Sequence, residues 1–143
     1  MSRFFPLFLL LLNSPVSSFA QDKNWSKVQS VAESHYKVVM LLIEKKEFDE
    51  AVSESKKLFD LKFPKEKENL LFQSADHIAA ALRHEQRFDL AHEVIDGALV
   101  AVTSSHWKAE LFKQKAFTFE KEGKRDDALH CFKKAIEVEN SNP

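Results

Sequence analysis

The chain has 143 residues, of which 21 are basic and 22 acidic for a formal charge of −1, with 44% hydrophobic residues, two glycines and a single cysteine. Both charge signs are interspersed along it, so no basic stripe points to nucleic acid or to an anionic membrane surface. Cys131 has no second cysteine in the chain to pair with, so packing must stabilise the fold without an internal disulfide.

Residues 1–20 have the grammar of a secretory signal: Arg3 supplies the positive end, 4–12 form an apolar run, and Ser18-Phe19-Ala20 puts small residues at the first and third places before a cut at Gln21. The nine residues of that run are too few for a bilayer span, which needs about 20. No cysteine follows the expected cut to carry a lipid. The expectation is a periplasmic or secreted chain, 21–143, forming one domain. Without Arg3 its 20 basic and 22 acidic residues leave a formal charge of −2.

Richness in Lys, Glu, Ala and Leu beside so few glycines predicts an all-α fold. The hydrophobic spacing places three long helices near 24–45, 66–85 and 105–122, each followed by a shorter one. In the last such pair, Phe112, Ala116 and Phe119 form one stripe, Gly123 interrupts it, and Ala128, Phe132 and Ala135 form the next. Large residues on one helix then meet small ones on the other, which suits close antiparallel packing. In the middle pair Ala75, Ile78, Ala79 and Leu82 are expected to face Ala91, Ile95 and Ala98, with Gly97 marking a close helix approach. Residues 38–43 are apolar without a break and so cover the whole circumference of the first helix. Either residues around Trp25 fold over them or another surface does. In the last helix Ala128, Leu129, Cys131, Phe132, Ala135, Ile136 and Val138 cover about half the circumference, more than the free end of an array requires.

Phe48-Asp49-Glu50-Ala51, Phe88-Asp89-Leu90-Ala91 and Arg125-Asp126-Asp127-Ala128 recur at the openings of the second helices, with alanines 40 and 37 residues apart. The longer linkers are absorbed around Pro64 and Thr103. On these residues the chain resembles the tetratricopeptide repeat, most closely in 109–138. It departs from that pattern at Lys46 and Gln86, where the turn glycine belongs, at His35, Ala75 and Lys115 within the first helices, and at Asn140. The resemblance implies three antiparallel hairpins, about 24–63, 66–102 and 105–138, stacked as a short right-handed solenoid.

It also implies a concave groove lined by the first helices. The row presented there would be Tyr36, Met40 and Ile43, then Asp76, Ala80 and Arg83, then Lys113, Phe117 and Glu120, rimmed by Lys37, His77, His84, Gln114 and Lys121. Relatives that clamp a terminal carboxylate use Lys and Asn where this chain has Tyr36 and Met40. An apolar segment with some acidic character is the expected ligand.

Catalysis has no visible seat: no phosphate loop, nucleophile elbow or cysteine pair occurs. His84-Glu85 and His92-Glu93 begin like a zinc-protease helix, but Phe88 and Asp96 stand where the second histidine must be. His77 and His84 are seven apart on one face without an evident third ligand, so neither a metal nor another cofactor is expected. The sequence therefore reads as a non-enzymatic module binding a protein or peptide. Self-association through the helix ends is one alternative; a small-ligand or metal binder through His77, His84 and Arg83 is another. Asn24-Trp25-Ser26 matches a glycosylation acceptor, a short pattern that chance explains.

Overall fold

The computed structural model describes residues 19–141, with side chains described from 24 onward. The expected signal segment thus lies outside the described residues except for Phe19 and Ala20, which open the first helix.

The fold is all-α. Its described helices are α1 (Phe19–Glu44), α2 (Phe48–Phe59), α3 (Glu68–His84), α4 (Phe88–Ala101), α5 (Ser105–Glu122) and α6 (Arg125–Asn140), with a 3₁₀ turn at Lys65–Lys67 before α3. They pack in sequential pairs, α1 with α2, α3 with α4 and α5 with α6; consecutive pairs meet through α1 and α3, α2 and α4, α3 and α5, and α4 and α5. This arrangement is consistent with stacked hairpins. Helix α1 begins five residues before the expected position because Ala20 to Lys23 contain neither glycine nor proline to stop it. Helix α3 starts later than expected, since Pro64 is extended (φ −59°, ψ 151°) and the chain first makes the 3₁₀ turn.

The three hairpin turns have one geometry. Lys46, Gln86 and Gly123 all take positive φ, at 64°, 62° and 78°. In each turn the next residue's N–H reaches back to a carbonyl five positions earlier: Glu47 to Leu42, Arg87 to Leu82 and Lys124 to Phe119, all at 2.9 Å. These bonds satisfy helix-end carbonyls and hold two non-glycine residues in the left-handed region, which costs roughly 1 to 2 kcal/mol each. Each second helix then carries acidic residues in its first turn, Asp49 and Glu50, Asp89, and Asp126 with Asp127, beside the positive end of the helix dipole.

One core runs through α1 to α4, with Val39, Leu58, Ile78, Leu82 and Ile95 at its centre and Leu111 joining from α5. Ala91 and Ala98 are fully buried and let the partner helix close in. A Cβ at Gly97 would lie 3.4 Å from the Phe59 ring of α2, an ordinary van der Waals contact, so the approach of these helices does not require the glycine that was expected to mark it. The apolar stretch 38–43 divides by face, with Val39 and Ile43 buried but Val38 42% and Leu41 49% exposed. Trp25 packs edge-on against Phe63, centroids 5.5 Å apart, with Lys67 over its ring. It anchors the start of α1 to the α2–α3 linker, not to the exposed side of that stretch.

Glu68, at the start of α3, is 2% exposed. Its carboxylate accepts hydrogen bonds from the backbone N–H groups of Thr103 (2.9 Å) and Ser104 (2.9 Å) and from the Thr103 hydroxyl (2.8 Å). One side chain thereby fixes the α4–α5 linker that sets the third pair against the second.

Candidate functional site

The neighbouring helices α1, α3 and α5 bring part of the expected row together. At its centre, Arg83 of α3 donates from Nη1 to the Thr118 hydroxyl of α5 at 3.0 Å. Thr118 is fully buried and itself donates to the Gln114 carbonyl at 2.9 Å. The anchored guanidinium stands 5.1 Å from the centre of the Phe117 ring, and the Lys121 ammonium lies 5.1 Å from the same ring. Phe117 is nevertheless 41% exposed. An aromatic side chain with two cations at cation–π distance remains open to solvent there.

Toward α1, Asp76 and His77 continue the surface. Burial pushes the Asp76 carboxyl up, with the Arg83 and His77 charges opposing it. Burial likewise holds His77 below the usual imidazole value against the pull of Asp76, and lowers Arg83 while Asp76 raises it. The Tyr36 ring lies 6.5 Å from that of His77, and burial pushes its phenol up to about 12.

The other expected residues fall at different depths. Tyr36 and Ile43, 8% and 5% exposed, are core side chains, because that side of α1 turns toward its packed neighbours; neither is presented on an open surface. Met40 is half-buried against the same core. Ala80, His84, Lys113 and Lys121 are exposed. Lys113 donates to Glu110 at 2.7 Å, a bond that raises its pKa, with Glu139 of α6 adding to the shift; its charge is thus engaged on its own helix. Of the expected row and rim, Lys37, Ala80, His84, Lys113, Phe117, Glu120 and Lys121 are therefore exposed, while Asp76, His77, Arg83 and Gln114 are half-buried. Thr118, which positions Arg83, was missed in the sequence, although a hydroxyl between Phe117 and Phe119 in a helical pattern was a visible signal.

His92 and Asp96 are each committed to α5. The His92 Nε2 lies 2.6 Å from Glu122 Oε1 and its ring 4.0 Å from that of Phe119, while Asp96 accepts from Lys115. Burial lowers the His92 pKa despite Glu122. Among the described residues no group of three or more His, Cys, Asp or Glu side chains is placed to hold a metal ion, and no helix is long and apolar enough to cross a membrane. Cys131 is buried, which pushes its thiol up and away from the reactive thiolate. The sequence matches no model of a known protein family and no curated protein.

Proposed function

We propose that this chain is a non-enzymatic protein-interaction module of the periplasm or secreted space, a short right-handed solenoid of tetratricopeptide type that binds a peptide or helix across its first helices. The observation that carries this reading is the exposed Phe117 beside Arg83 and Lys121. A ring ordered by two cations offers an apolar anchor at low entropic cost, and the cations favour an acidic neighbour on the ligand. The ligand that fits is an extended or helical segment with an apolar side chain flanked by Asp or Glu. Exposed Ala80 leaves room on α3 for its backbone to approach. The recurring turn geometry and paired packing support the repeat reading independently.

Photo-crosslinking in the source cell tests this. A crosslinker at Ala80 and one at Lys121 are expected to capture the same partner, whereas one at Val100, 88% exposed on α4, captures none of it. Phe117→Asp combined with Lys121→Glu should abolish the adduct while leaving helix content intact. Persistence of the adduct in that variant refutes the surface.

A further inference from the structure

The charges on the groove side of α1, α3 and α5 are sorted by level along the helices. Contacts between the helices fix that level: Arg83 of α3 meets Thr118 of α5, and the Tyr36 ring of α1 lies 6.5 Å from that of His77. Lys121, less than one turn beyond Thr118, therefore stands at the Arg83 end, with Phe117 and Ala80 before it. At a rise of about 1.5 Å per residue, Asp76 lies about 10 Å before Arg83 on α3. Glu33, three residues before Tyr36 on the same side of α1, belongs to the Asp76 end.

Both ends lack counter-charges. Asp76 and Glu33 are half-buried, yet among the described residues neither carboxylate accepts a hydrogen bond or joins an ion pair. Burial pushes both carboxyls up, and at Asp76 the Arg83 and His77 charges offset this only in part. Arg83 donates to the neutral Thr118 hydroxyl and not to Asp76 of its own helix, and Lys121 is exposed without an ion pair among the described residues. Arg83 and His84 occupy the last turn of α3, where they complement the helix dipole. Asp76 is in the middle of α3, so the dipole does not account for it. A carboxylate partly withdrawn from water without a donor is destabilised, and a cation brought by a ligand offsets that cost.

We infer that the segment bound in this groove carries both charges: an Asp or Glu side chain at Arg83 and Lys121, an apolar one over Phe117 and Ala80, and a Lys or Arg side chain at Asp76, with Glu33 reinforcing that end. The inference rests on the groove reading above and adds the basic residue to it. The distance from Asp76 to Arg83 corresponds to about seven residues of a bound helix or about three of an extended segment. Opposite charges at the two ends fix the register of the segment and reject one that is acidic throughout.

Selection of phage-displayed random peptides on the immobilised chain tests this. The peptides recovered are expected to carry Asp or Glu on one side of an apolar residue and Lys or Arg on the other. In the tightest of them, changing the basic residue to Gln should weaken binding to the wild-type chain about tenfold. Asp76→Asn should weaken the parent peptide by a similar factor and bind the two peptides alike. Asp76→Lys should prefer the peptide whose base is changed to Glu, a reversal that a merely structural role for Asp76 does not produce. Peptides with acid and no base overturn the inference and leave the groove reading standing. So does a base whose replacement costs the wild-type chain nothing, or costs Asp76→Asn as much as wild type. Recovery of the same peptides by the Phe117→Asp, Lys121→Glu variant, or of no peptide by the wild-type chain, overturns both. The peptide change measured on the wild-type chain decides by itself if an Asp76 variant fails to fold.

Discussion

The first two helix pairs and the third are built on different principles. Helices α1 to α4 share one extended core of large aliphatic side chains, to which α5 contributes Leu111. The third pair has its own small cluster, Ala116, Ala128 and Cys131 with Phe119 packed against it, although the backbones of α5 and α6 approach one another more extensively than those of any other pair. Small residues explain both facts. They let helices approach closely, and they bury little apolar surface in doing so. Attachment of the third pair rests heavily on polar links: the Glu68 clamp, Arg83 with Thr118, His92 with Glu122 and Asp96 with Lys115. Resemblance to a repeat pattern thus tracks the close approach of helix backbones, which is greatest in the third pair, and not the burial of large side chains, which is greatest in the first two; Phe132, expected on the stripe packed across the third hairpin, is instead 38% exposed.

The largest expected effect lies in the shared core. Ile78→Ala removes a fully buried side chain and should cost roughly 2 to 5 kcal/mol, unfolding α1 to α4 together in a denaturant titration. Phe119→Ala, at a half-buried site, should cost less; an equal cost would erase the distinction between the two regions. Glu68→Ala comes next. It orphans the N–H groups of Thr103 and Ser104 and should cost about 2 to 3 kcal/mol. Hydrogen exchange should then show α5 and α6 opening before α1 to α4, and uniform loss of protection would place the attachment elsewhere.

Gln86→Gly gives the second turn the residue that the third already has. With φ at 62° and the side chain exposed, the change should raise stability by roughly 0.5 to 1 kcal/mol, read as a higher Tm. A fall in Tm would mean that the side chain contributes something the turn geometry does not.

The smallest effect is with pH, at the joint between the regions. His92 is held below its ordinary value by burial, so just below pH 6.5 the unfolded chain binds more protons than the folded one. Its contribution to stability is therefore full above that pH and is lost as the pH falls toward the folded value. His77 adds a loss of the same sign, whereas Asp76, raised by burial, gains stability on protonation only in the more acid range of carboxyls. The Tm should decline from pH 7.5 to 5.5, and His92→Gln should flatten the decline by keeping a hydrogen bond to Glu122 without the titration. An unchanged slope in that variant would remove His92 from the account.

Much of this was legible in the residues. Periodicity placed six helices, and the recurring Ala51, Ala91 and Ala128 placed the openings of the second ones. The site was less legible. A row drawn at helical spacing through Tyr36, Met40 and Ile43 could not tell which side of α1 would be covered, and the core took Tyr36 and Ile43. The pairing of Arg83 with Thr118 joins residues 35 positions apart on different helices, which no local pattern encodes.

The sequence by itself determined the helices, their pairing order and the places where the chain turns, because 3.6-residue periodicity, small-residue positions and acidic first turns act over one or two turns of helix. It even marked Lys46 and Gln86 as the departures from glycine. Only the tertiary structure decided that both nevertheless adopt the left-handed turn, held by bonds to Leu42 and Leu82. It alone decided that Glu68 clamps a linker 35 residues away, and that Phe117 stays open between two cations while Tyr36 does not. These outcomes depend on which faces meet across helices distant in sequence, and burial, unlike periodicity, is a property of the assembled pairs.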